Sequence, residues 1–162
     1  MKIKFLFVTL FVLNFNLSSC QKSIKANNIS TERVLYLEGF YSEYISSWEN
    51  PDNDMLSTLK KYCSSNLFDN IINMWKTHQL DHDPFINAQD VSAIILDYLK
   101  VTPIEGEREL FEVSFRYPVQ KESERTRIKL KVVCTKDGYK IDGVGEIQGN
   151  PPLPHEPSLP HD

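Results

Sequence analysis

"RTRIKLKVVCTKDGYKIDGV", residues 125–144, decides the fold. Its first ten residues alternate, with Ile128, Leu130, Val132 and Cys134 opposed to Arg127, Lys129 and Lys131. Period-two alternation is the pattern of an antiparallel strand covered on one side. Lys136-Asp137-Gly138 interrupts the run, and Asp-Gly is a strong hairpin signal because glycine tolerates positive φ. The chain then returns as "GYKIDGVGEI". Upstream, "ELFEVSFRYP" alternates in the same way, with Phe111, Val113, Phe115 and Tyr117 against Glu112, Ser114 and Arg116. An earlier strand is expected within "SAIILDYLKVTP", residues 92–103. The second half therefore reads as a meander of strands.

The first half has a different period. In "TERVLYLEGFYSEYISSWEN", Val34, Leu37, Tyr41, Tyr44, Ile45 and Trp48 recur at helical spacing, after a cap at Ser30 or Thr31 and before a stop at Pro51. "DNDMLSTLKKYCSSN" predicts a second helix, capped by Asp52 or Asp54, with Met55, Leu59, Tyr62 and Cys63 on one face. "SSNLFDNIINMWKTH" predicts a third, with Leu67, Phe68, Ile71, Ile72 and Trp75 as its apolar set. Three N-terminal helices followed by a meander describe an α+β domain, helices packed on one face of a curved antiparallel sheet.

The chain of 162 residues is long enough for one domain with a modest core. Residues 1–19 are set apart from it. Lys2 and Lys4 precede the apolar run "FLFVTLFVLNFNL", which is too short for a comfortable bilayer span. The run ends in Leu17-Ser18-Ser19-Cys20, which resembles the lipobox of bacterial lipoproteins. That resemblance implies cleavage before Cys20, acylation of Cys20 with palmitate-type chains, and anchoring in a membrane. Gln21 stands where aspartate is the inner-membrane retention signal in enterobacteria, and "QKSIKANN" lacks an acidic surface-export signal. The implied address is the periplasmic face of the outer membrane. Residues 20–30 read as a lipidated tether, residues 31–148 as the domain, and the proline-rich residues 149–162 as an extended tail. Removal of residues 1–19 takes Lys2 and Lys4 and no acid, leaving 16 basic and 22 acidic groups and a formal charge of −6. That balance argues against nucleic acid, whose binding leans on phosphate neutralisation.

The domain carries motifs beyond its periodicity. "FYSEYISSW" on the first helix, "DHDPFINAQD" after the third and "GYKIDGV" on the last strand resemble domain of unknown function 3828, a family of small bacterial secreted proteins and lipoproteins placed in the nuclear-transport-factor-2-like superfamily. Phe40, Tyr41 and Tyr44 match its first motif. Asp81, Asp83, Pro84, Phe85, Gln89 and Asp90 match its second, and Ile141-Asp142-Gly143-Val144 its third, although Tyr139 stands where tryptophan is common. The resemblance implies a cone-shaped sheet wrapped on helices with a cavity at its open end. It implies no reaction, because that fold hosts enzymes, carriers and binding modules alike.

"DHDPFINAQD", residues 81–90, puts three aspartates, a proline and two amides into ten residues. Asp83 before Pro84 reads as a cap followed by proline at the first helical position: aspartate accepts orphan N–H bonds and proline donates none. Phe85 and Ile86 would pin that turn to the core, while Gln89 and Asp90 bond the chain as it turns into the first strand. A second role is a pocket rim made by Tyr41, Tyr44, Asp83, Gln89 and Asp90. Metal chemistry is poorly served. His78 and His82 are four apart, but Pro84 makes a continuous helix there unfavourable. Asp81, Asp83 and Asn87 lack the alternate oxygens and central glycine of a calcium loop. No metal site and no cofactor is therefore expected.

Cys20 being assigned to the lipid, Cys63 and Cys134 are left. Both fall on apolar faces, so a periplasmic disulfide and two buried thiols are both open readings. Arg125, Arg127, Lys129 and Lys131 form a basic row that is read as a solvated face guarding the sheet. His155 and His161 carry no site signal. There is no G-x-S-x-G, phosphate loop, C-x-x-C or H-E-x-x-H. The expected function is a non-enzymatic module binding a small ligand or a periplasmic protein. An inhibitor or immunity protein against a periplasmic enzyme is the first alternative, and a hydrolase using Asp83 and Asp90 the second.

Overall fold

A computed structural model describes residues 17–50 and 54–149, with side chains from Ser30 onward. Three helices come first: α1 (Leu17–Glu49), α2 (Met55–Tyr62) and α3 (Ser65–Lys76). Five strands follow, β1 (Lys100–Pro103), β2 (Leu110–Phe115), β3 (Thr126–Thr135), β4 (Gly138–Val144) and β5 (Ile147–Gln148). They pair antiparallel in the order β1-β2-β3-β4-β5, a pure meander. The α+β architecture expected from the periodicity is present.

Local chemistry explains the helix boundaries. Asp54 caps α2 by accepting the Leu56 N–H at 3.0 Å, and Ser64 caps α3 by accepting that of Leu67 at 3.3 Å. Ser30 and Thr31, expected as caps, lie inside α1 instead. The helix thus takes in the backbone of residues 20–30, while the Cys20 side chain and all of residues 1–16 lie outside the described set, as do Pro51 and the tail beyond Gly149. Among the described residues no helix is long and apolar enough to cross a membrane.

The helical layer covers one face of the sheet. Leu37, Phe40, Tyr41, Tyr44 and Ile45 of α1 are fully buried, as are Leu59 of α2 and Leu67 and Ile71 of α3. Phe111, Val113, Phe115, Ile128, Leu130, Val132 and Ile141 meet them from the strands. Aromatic rings fill the middle. Phe40 stacks on Tyr44 at 5.1 Å between centroids and meets Phe85 edge-on at 5.0 Å, a geometry favoured by ring quadrupoles. Among the described residues, these rings and the strand side chains join in one hydrophobic core.

The strand expected within residues 92–103 is β1, which follows a 3-10 turn over Ala93–Tyr98 capped by Ser92. Three expectations need correction. The β3–β4 hairpin places Lys136 and Asp137, not Asp-Gly, between the paired Thr135 and Gly138. Gly138 follows at φ +107°, so glycine supplies the positive φ at the residue that closes the turn and is not a central residue. The basic row is broken up. Arg125 is turned inward and Lys131 pairs with the buried Asp142 at 3.4 Å, whereas Lys129 and Arg127, the latter paired with Glu112 at 2.5 Å, stay exposed as expected.

The cysteines are the third. Both are free thiols, Cys63 buried and Cys134 exposed. Cys63 bridges to Ile141 of β4, which pairs in turn with Val132 of β3. Two inter-strand spacings, about 10 Å, therefore separate Cys63 from the strand of Cys134. A disulfide needs Cα atoms within about 7 Å. Cys134 also sits at the hairpin end, opposite Tyr139, and is exposed there although the alternation put it on the apolar face.

The sheet closes onto α3. Ser64 donates its N–H to Ile141 O at 2.8 Å and its hydroxyl to the buried Asp142 carboxylate at 2.7 Å. Gly149 N–H reaches Asp142 O at 2.7 Å, and Asn70 Nδ2 donates to Gln148 O at 2.8 Å. A Cβ on Gly149 would lie 2.3 Å from Asp142 Oδ1 and 2.6 Å from Ser64 Oγ, so only glycine fits there. The last described residue is held against the first turn of α3.

Candidate functional site

The segment after α3 is built around Asp83. Its Oδ1 accepts the N–H groups of Phe85 at 2.8 Å and Ile86 at 3.2 Å, the capping role expected of an aspartate before proline. Asn87 N–H returns to Asp83 O at 2.7 Å, and Asp83 N–H to Ala88 O at 3.0 Å. Asn87 carries φ +51°, a conformation asparagine tolerates better than most residues. Two tyrosines of α1 clamp the turn from beneath. Tyr41 donates to Phe85 O at 2.9 Å, and Tyr44 donates to Asp83 Oδ2.

This arrangement buries a carboxylate. Asp83 is 5% exposed, and burial raises its pKa above the ordinary aspartate value despite the bonds from Tyr44, Phe85 and Ile86. Burial, followed by the nearby Asp83 charge, also pushes Tyr41 and Tyr44 well above the ordinary phenol value. All three groups serve the fold.

The structure divides the five expected rim residues. Asp83 and Gln89 do line a depression, whereas Tyr41 and Tyr44 are fully buried beneath it. Asp90 is exposed and accepts the Val91 N–H at 2.8 Å, apart from that lining. Asp83 and Asp90 therefore occupy different environments, one under the turn and one in solvent.

The depression measures about 380 Å³ and is open. It forms where three helix ends meet the loop. Trp48 comes from the end of α1, Met55 from the start of α2, Trp75 from the end of α3, and Leu80 and Ala88 from the connecting segment. These five are half-buried, so each shows part of its apolar surface. Asp81, His82 and Gln89 supply a polar rim, with Gln89 Nε2 bonded to Asp81 O at 3.0 Å and His82 Nδ1 2.5 Å from Asp81 Oδ1. The covered Trp48 Nε1 has no hydrogen-bond partner among the described residues.

Sequence reading missed most of this lining. Met55 and Trp75 carried helical periodicity, which does not distinguish a side chain sealed in the core from one at its margin. Leu80 lies between a helix and a turn with no period at all. The available signal was tryptophan itself: the chain has two, and both line the groove. His78 and His82, spaced as helical ligands, are both exposed, and α3 stops at Lys76 with His78 at φ +55°. Among the described residues no group of three or more His, Cys, Asp or Glu side chains converges.

A second hollow, of about 500 Å³, is lined by Gly106, Glu107, Arg108, Glu109, Leu110 and Lys131 at the β1–β2 turn. Its charges are mixed and Leu110 is its one large apolar group, so it offers less to an apolar ligand.

No family model and no curated protein matches the chain. Two solved structures are similar. A protein of unknown function from Bacteroides thetaiotaomicron VPI-5482 aligns with TM-score 0.66 and 21% identity, over 78% of this chain and 98% of that one. The type VI effector–immunity complex Tae3-Tai3 from Ralstonia pickettii contains a chain aligning with TM-score 0.49 and 14% identity, over 68% of this chain and 92% of that one. The first likeness shows a shared α+β fold and nothing of function.

Proposed function

We propose that the protein is a non-enzymatic binding module, held by lipid on Cys20 at the periplasmic face of the outer membrane, which engages a protein partner through the Trp48–Trp75 groove. The observation that carries this reading is the groove itself, an open floor of half-buried tryptophan, methionine and leucine with a polar rim. Tryptophan is enriched among residues that dominate binding energy, and methionine adapts to varied apolar surfaces. An open depression over a filled interior suits a protruding side chain or peptide better than a small molecule, which needs enclosure on most sides.

The hydrolase alternative fits less well. Asp83 already accepts three hydrogen bonds inside the turn, and Asp90 lies outside the groove lining. An inhibitor of a periplasmic enzyme remains a special case of the protein-partner reading. The loop is pinned from beneath, so such an inhibitor would present the groove and not a flexible plug.

The test is capture from envelope extract with the wild type, Trp75→Ala and Gln89→Arg, quantified by mass spectrometry. One polypeptide should be enriched by the wild type and lose about tenfold in both variants, the cost of a single strong interface residue. Equal yields from all three proteins would remove the groove from the account.

A further inference from the structure

The groove has a candidate occupant in the chain's own sequence. Pro151, Pro154, Pro157 and Pro160 recur at every third position of "NPPLPHEPSLPHD", residues 150–162. A polyproline II helix has three residues per turn, so these four prolines would form one continuous row. Aromatic-lined grooves are the general receptors for such rows, because the proline rings lie flat on tryptophan and the conformation costs little entropy to fix.

Placement agrees with composition. Gly149, where the described chain ends, is held against Ser64 at the start of α3, and Trp75 lies near the end of the same helix. From Ser64 to Trp75 is about 16 Å at 1.5 Å per residue. An extended proline-rich chain rises about 3.1 Å per residue, so residues 150–162 could span about 40 Å. About five residues suffice for the distance along α3, which puts the tryptophans within reach of Pro154, Pro157 and Pro160.

We infer that the proline row of residues 151–160 docks as a polyproline II segment in the Trp48–Trp75 groove of the same chain and competes there with any partner. The inference rests on the groove being a binding surface, as proposed above. It adds what sits in the groove when no partner is present.

Because the chain's two tryptophans both line the groove, intrinsic fluorescence reports this site alone. The experiment compares the full-length protein with the triple variant Pro154→Ala, Pro157→Ala, Pro160→Ala, in detergent, by emission spectrum and acrylamide quenching. The variant should emit further to the red and quench at least about twofold more steeply. A synthetic peptide of residues 150–162 should return both readings to the wild-type values, while the same peptide with the three prolines replaced by alanine should not. Identical spectra and quenching for the two proteins, together with no response to the peptide, would overturn the inference. A difference that grows with protein concentration would also overturn it, assigning the occupant to a second copy. Failure here leaves the partner-capture result unaffected, since that experiment reads the groove through Trp75 and Gln89 without reference to the proline row.

Discussion

Asp83 shows how one residue can look functional for structural reasons. A buried carboxylate with a raised pKa beside two tyrosines has the appearance of acid–base chemistry. Its geometry assigns it instead to the turn and to Tyr44. Two consequences can be measured. Asp83→Ala should cost about 0.5–2 kcal/mol through the lost cap, whereas Asp83→Asn retains an oxygen for Phe85 and Ile86 and should cost less. In that variant the Tyr44 hydroxyl can turn to Met55 Sδ, already 3.6 Å away. The pH dependence has a definite sign. Since the folded pKa is raised above 3.8, the folded state keeps this proton to higher pH than the unfolded state. The associated stability is complete below the unfolded value and is lost as pH rises through the folded one. Asp83→Asn cannot titrate, so it should lose less stability than the wild type between about pH 4 and neutrality. Urea midpoints giving a constant difference across that window would contradict the assignment.

At the scale of elements, the sequence told most where periodicity met a cap or a turn residue. The α2 cap, the alternation of β2 and β3, and the Asp83 turn were all legible, because each depends on neighbours within a few positions. What could not be read depends on distant partners. Alternation placed Cys134 on the apolar face but could not say that this end of the hairpin is exposed. Arg125 seemed the first of a basic row, yet it is buried and donates to Tyr98 O at 2.6 Å and to Ser114 O at 3.1 Å, tying the end of β2 to the turn before β1. Glu122 closes the same group: the hydrogen bond from Arg125 leads the effects that lower its carboxyl to about 2. Lysine carries the charge without the planar fork, so Arg125→Lys should destabilise the protein by about 1–3 kcal/mol. Thermal melts equal to the wild type would mean that these carbonyl bonds contribute nothing.

For the molecule as a whole, the sequence and the structure divide the account between them. The proposed address rests on the lipobox-like residues 17–20, and it predicts that Cys20→Ser abolishes labelled palmitate incorporation and releases the protein from the membrane. Uptake at the wild-type level would refute it. The proposed binding surface, by contrast, is assembled from α1, α2, α3 and the 80–89 segment, a convergence that no local pattern announces. The central claim is that this junction meets a protein partner, and the most direct measurement is photocrosslinking in intact cells. A benzophenone amino acid at His82 or Gln89 should yield one discrete adduct, and the same group at the exposed Lys129 should yield none. Absence of an adduct from the groove positions, or equal adducts from all three, would contradict the claim.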